Sequence, residues 1–148
     1  MTTPNTAKDL SKEAPSSPRV RVGGYVILSR MTDKGRALLN GTLSDYHFDC
    51  PLDNYLFGFK GVKGDEVKEQ LQSGASDEEI AAWLDAHGTP KSPAEVKVWS
   101  DAAEGFNPVQ NPDMKEWFEG ECAKVGLDPS TSTLFDFLET DDRLSYTK

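Results

Sequence analysis

The sequence is poor in the residues that most often announce a chemistry. It has two cysteines and two histidines in 148 residues. Cys50 and Cys122 stand alone, so no disulfide framework follows and reduced thiols are expected. Zinc sites want three or four protein ligands, and His47 with Cys50 supplies only two; His87 and Cys122 lie far off in the chain. No metal and no cofactor are assigned. No apolar run approaches the roughly 20 residues that span a bilayer. The opening stretch, MTTPNTAKDLSKEAP, has no apolar core that would serve as a secretion signal, so a cytoplasmic protein is expected. There is no GxGxxG, no P-loop lysine motif, no internal repeat and no long heptad run.

Positive charge is also scarce. Sixteen Lys and Arg face 25 Asp and Glu, a net charge of −9. A nucleic-acid backbone or an anionic membrane rewards a basic footprint, so neither is an expected partner. The balance is uneven, however. Residues 1–37 carry seven Lys and Arg against three Asp and Glu, and five of those cations fall in SPRVRVGGYVILSRMTDKGRALL. One local anion site in that segment is compatible with the rest of the surface being acidic.

What is abundant is helix punctuation. Tyr25–Leu39 places Ile27, Met31 and Leu38 on one face beside Leu28 and Leu39, and stops at Asn40-Gly41, a left-handed cap. Arg30 and Lys34 border that apolar stripe, Arg36 points away as ordinary surface, and Gly35 within the stripe implies close packing of another element. Residues 42–63 are dense in aromatics and broken by Pro51 and glycines. They read as a loop with a short helix near Asp53–Phe57. Helices follow at 65–73, 77–87, 93–104 and 112–125. Ser76/Glu79 and Ser92/Glu95 supply capping boxes, and Ser92-Pro93 and Asn111-Pro112 supply N-caps with a first-turn proline. A short helix at 133–139 ends the pattern, and ETDDR (139–143) reads as a solvated helix end. Trp83, Trp99, Phe106, Trp117, Phe118, Phe135 and Phe137 read as core, and His87 as a capping or core histidine. The expected fold is all-α: a single domain of five or six short helices over 19–148, with an aromatic-rich loop after the first helix and a flexible segment at 1–18.

Two stretches carry candidate chemistry. Gly23-Gly24 ahead of a helix would leave free N–H groups at its positive end, and Arg19 and Arg21 alternate beside them, so an anion is the matching ligand; Tyr25 opens the apolar run there. DYHFDCPLD brings Asp45, Tyr46, His47, Asp49, Cys50 and Asp53 within nine residues. A Cys–His nucleophile is chemically conceivable there, although a cysteine before proline more often packs as a small apolar group.

Several separated pieces resemble domain-of-unknown-function family 5069, a group of short bacterial proteins. VGGYVILSRMTDKGRALLNGTLSDYH carries the family's Gly-hydrophobic run, Arg-x-x-Asp-Lys and Asp/Glu-Tyr, here Gly24, Arg30, Asp33, Lys34, Asp45 and Tyr46. SGASDEEIAAWLDAHGTPKSPAEVKVW and STLFDFLETDD resemble its central helix pair and C-terminal signature, so the likeness covers most of residues 9–142. Many relatives have a Cys-Cys pair after the Tyr loop, and this chain has only Cys50 there. The resemblance implies a soluble one-domain protein and brings no reaction.

The leading expectation is a binding or regulatory domain with a cleft between the first helix and residues 42–53. Arg30 and Lys34 would supply charge, Asp33 would belong to the same helix border, Tyr46 and His47 would supply hydrogen bonds, and Gly23-Gly24 backbone donors. The partner would be a small anion or an acidic protein segment. One alternative is an enzyme with His47 as general base, Asp49 or Asp33 orienting it, and Tyr46 or Lys34 stabilising an anion. Another is a protein–protein interaction module.

Overall fold

In the computed structural model, which describes residues 7–146, most helix boundaries fall on the capping residues. Among the described residues seven α-helices run in order: α1 Leu28–Asn40, α2 Pro51–Lys60, α3 Gly64–Gln72, α4 Asp77–Ala86, α5 Pro93–Glu104, α6 Pro112–Val125 and α7 Leu134–Ser145. A single 3₁₀ turn, Pro108–Gln110, precedes α6, and no strand is present among the described residues. The Ser76/Glu79 and Ser92/Glu95 boxes both form, and the Asn111 side chain accepts from Asp113 N ahead of Pro112. Gly41 closes α1 at φ 74°, a backbone state that a residue with Cβ rarely adopts.

Seven helices among the described residues stand against the expected five or six, and two of them are longer than their local signals imply. The aromatic stretch contains a ten-residue helix, because Pro51 sits at its first position, where a missing N–H costs nothing, and Cys50 is the extended N-cap. Tyr55, Phe57 and Phe59 therefore ride on α2, and only Tyr46 and Phe48 remain in the loop. At the other end α7 runs to Ser145 instead of stopping at 139. ETDDR is thus part of a helix, and its Asp142 is buried.

α1 is the central element and packs against α2, α3 and α4. Its residues 28–35 are all buried, which a helix with one apolar stripe would not be. Leu38 and Leu39, expected on the buried face, are instead exposed beyond the last covering helix. Gly35 faces Leu71 of α3 and Phe48 so closely that a Cβ would collide with Leu71. This is the close packing its position implied. The main core joins α1 residues Leu28 and Met31 to Leu56, Phe57, Val67, Ile80 and Val96. A smaller cluster of Phe118, Cys122 and Phe137 binds α6 to α7. His87 ends α4, its Nδ1 2.8 Å from the Trp83 carbonyl.

The segment expected to be loose at 1–18 lies outside the described residues for 1–6. Within 7–18, Leu10 is buried and its N–H donates to Thr42 O, the N–H and Oγ of Ser16 both donate to Asp33, and Pro18 O accepts from Ile27 N. These residues strap across α1. No helix among the described residues is long and apolar enough to cross a membrane.

Candidate functional site

The N-terminal cations are committed to carboxylates. Arg19 forks to Glu139 and Asp136 on α7, and Arg21 meets Asp101 and Glu104 on α5. Arg36 pairs with Asp77 at 2.8 Å and donates to Ala75 O, so it is a helix-tying residue and not ordinary surface. Gly23 and Gly24 do not open a helix. They form a tight turn at φ 58° and 88°, closed by reciprocal bonds between Val22 and Tyr25, and α1 begins only at Leu28. The expected backbone donors at a positive helix end are absent there. Tyr25 is buried, and its hydroxyl donates to Asp85 on α4. Asp33 accepts from Ser16 and faces Lys8 at 3.3 Å.

Arg30 and Lys34 lie one turn apart on α1, and both are buried, at 4% and 3% exposure. Arg30 Nη1 donates to Asp142 Oδ2 at 2.6 Å and Nη2 to Oδ1 at 3.3 Å, a two-pronged pair. Tyr46 places its ring 5.6 Å from the guanidinium and donates its hydroxyl to the same Asp142 at 2.8 Å. Burial, then hydrogen bonding with Tyr146 and Asp142, pushes the Tyr46 phenol above its ordinary value of 10, so it stays a donor. Lys34 Nζ stands 2.9 Å from Asp53 Oδ1 and 3.2 Å from Cys50 Sγ. Asp53 is fully buried, and burial pushes its carboxyl up while Lys34 pulls it down. Its second oxygen accepts from Asp49 N, fastening the loop to the first turn of α2.

These two pairs border one cavity of about 890 Å³. One wall is α1, residues 44–47 and the start of α2, with Arg30, Lys34, Tyr46, His47 and Cys50 lining it. The other wall comes from the end of α5, the first turns of α6 and the length of α7, including Phe106, Met114, Trp117 and Leu138. The structure thus gathers five of the sequence candidates and leaves Arg19, Arg21, Gly23, Gly24, Tyr25, Asp33 and Asp49 outside the lining.

His47 is exposed, and neither proposed partner orients it. Asp49 accepts from Asn54 Nδ2, and Asp33 is held by Ser16. The general-base arrangement expected for an enzyme is therefore not assembled. Among the described residues no group of three or more His, Cys, Asp or Glu is placed to hold a metal ion. For three lining or supporting residues the sequence implies a different or incomplete role, Asp53 among them although DYHFDCPLD contains it. Asp142 sat in ETDDR, whose one signal was its spacing of seven from Phe135 on the buried face of α7. Asp53 followed Cys50 by three, within the first turn of a helix expected to be shorter. Trp117, expected in the core, is 47% exposed and lines the cavity.

A family model described as Domain of unknown function (DUF5069) matches residues 12–144. The chain belongs to that family. No curated protein matches the sequence.

Proposed function

We propose that this member of the DUF5069 family is a binding domain for a small amphipathic organic molecule, taken up in the cavity between α1 and α6–α7. The observation that carries the reading is the cavity. Protein interiors are close-packed and leave few voids larger than a water molecule, whereas ligand sites run to roughly 300–1,000 Å³. The half-open cleft here, about 890 Å³, falls within the range of ligand sites. Its lining matches that class as well: aromatic and aliphatic side chains over most of the wall, with Tyr46, Cys50 and two buried ion pairs at one side.

Backbone strain supports the same place. Ile27, Ser44 and Asp49 are the non-glycine residues at positive φ among those described, at 75°, 57° and 64°. For a β-branched residue such as Ile27 this conformation is a real outlier. Ile27 and Ser44 line the cavity, and Asp49 immediately precedes Cys50, which does. Strain of this kind collects at functional sites, where surrounding structure holds it.

An anion is the weaker fit. Each cation on the wall already has a buried carboxylate within 3 Å, so an incoming anion would have to displace Asp142 or Asp53. The test uses an uncharged probe, so that it bears on the cavity alone. Titration with 4-phenylbutan-1-ol should shift the tryptophan emission of the full chain, and Trp117→Phe should remove that shift. No saturable shift, or one that survives Trp117→Phe, overturns the reading.

A further inference from the structure

The charge around the cavity points to the class of molecule it takes. We propose that the occupant is an organic cation: an ammonium or comparable head group on an apolar body. This rests on the cavity being a binding site, as proposed above, and goes beyond it in naming the head group.

Four charged side chains besides His47 line the space: Arg30, Lys34, Asp45 and Asp141. The two cations are neutralised from behind by carboxylates outside the lining, Arg30 by Asp142 and Lys34 by Asp53. The two acids have no such partner: no ion pair reaches Asp45 or Asp141 among the described residues. The positive charge that does act on Asp141 is Arg30, which is already held by Asp142. The walls with their supporting residues therefore carry two more acids than bases, and both of the surplus acids are solvent-exposed. A monocation entering the cavity halves this imbalance, and an anion enlarges it.

Two independent features agree. The lining also holds Phe106, Trp117 and Tyr146, besides Tyr46, whose ring already lies by the Arg30 guanidinium, and Tyr55, which stacks on Trp99; aromatic rings attract cations, organic ammonium groups most when water is excluded. The whole molecule, at −9, draws cations and repels anions during approach. The Asp141 carboxyl, although largely exposed, is pushed above its ordinary 3.8 by its partial burial, then by Asp142 and Glu121, with Arg30 opposing.

The experiment compares three probes with one body and three heads: 4-phenylbutylammonium, 4-phenylbutan-1-ol and 4-phenylbutanoate, each titrated into the full chain by calorimetry at neutral pH and low salt. The ammonium is expected to bind about tenfold or more tighter than the carboxylate, the size of one partly desolvated charge contact. Asp141→Asn should weaken the ammonium by roughly tenfold and change the alcohol far less. Asp141 is exposed and accepts no side-chain hydrogen bond, so this variant should fold, and Asp45→Asn provides a second one. If the alcohol binds while the carboxylate equals or exceeds the ammonium, the cation assignment is wrong and the cavity reading stands. An ammonium preference that persists in both Asn variants also overturns the assignment, because it then arises elsewhere. If none of the three binds, both inferences fall.

Discussion

Arg30 and Asp142 meet across 2.6 Å in the interior, and that contact joins the central helix to the last one. The two residues are 112 apart in sequence. Both side chains are almost wholly withdrawn from water, so the pair works only while both members are present. Removing one leaves an uncompensated buried charge, which costs far more than the intact pair contributes. Asp142→Ala should destabilise the fold by about 3 kcal/mol or more, read from urea denaturation by circular dichroism. A loss below about 1 kcal/mol would mean that Arg30 finds water or another acceptor. The variant should also free the Tyr46 hydroxyl, which donates to the same carboxylate.

Gly35 makes a second, purely steric prediction. It is helical, so an alanine has no conformational objection there, and intrinsic propensity alone favours the change. The added methyl would press on Leu71 and on the Phe48 ring. Overpacking of this sort costs about 1–3 kcal/mol. Gly35→Ala is expected to lower stability despite its better helix propensity, and Gly35→Ala with Leu71→Ala should recover part of the loss. A stabilising single variant would show that α3 yields without cost.

The two cysteines should differ in reactivity. Cys50 is half-buried, lines the cavity and accepts from Lys34. Cys122 is fully buried in the α6–α7 cluster, and burial pushes its thiol above the ordinary value of 9. An aromatic disulfide reagent should titrate one thiol quickly in the folded chain and both in denaturant. Cys50→Ser should abolish the fast phase. Its persistence in that variant would place Cys122 within reach of solvent.

Acid should weaken the helices whose capping boxes are ionised. Glu79 and Glu95 accept from the N–H of Ser76 and Ser92, which holds both carboxyls below the ordinary 4.5. A carboxyl whose folded value is depressed contributes stability above the unfolded value, and that contribution disappears as pH falls through the folded value. Stability should therefore decline from about pH 5 downward. Replacing both residues by Gln should make the decline shallower, seen as a smaller shift of the urea midpoint between neutral and acid pH. An unchanged slope would assign the acid sensitivity to other carboxylates.

Much of the helical order was legible in the sequence, because capping and periodicity are local. Ser76, Ser92, Asn111-Pro112 and Gly41 each mark a boundary through groups within four residues, so they act alike in a peptide and in the folded chain. The errors lie where a local signal was overruled. Pro51 looked like a breaker and serves as a first helical residue; ETDDR looked solvated and is drawn into α7 by the burial of Asp142. The concentration of cations at residues 19–36 was equally plain, yet composition does not say which charge meets which. Pairing depends on where six loops bring α5 and α7, and these returned Asp101, Glu139 and Asp142 to Arg21, Arg19 and Arg30. Thus the sequence alone decided an acidic, all-helical chain with a basic first segment. Only the tertiary structure decided that Arg30 and Lys34 are paired with buried carboxylates while Asp45 and Asp141, lining the same cavity, have no ion pair among the described residues. Helix caps are short-range hydrogen bonds, but the charge of a cavity is a sum over residues that meet only after the chain has folded.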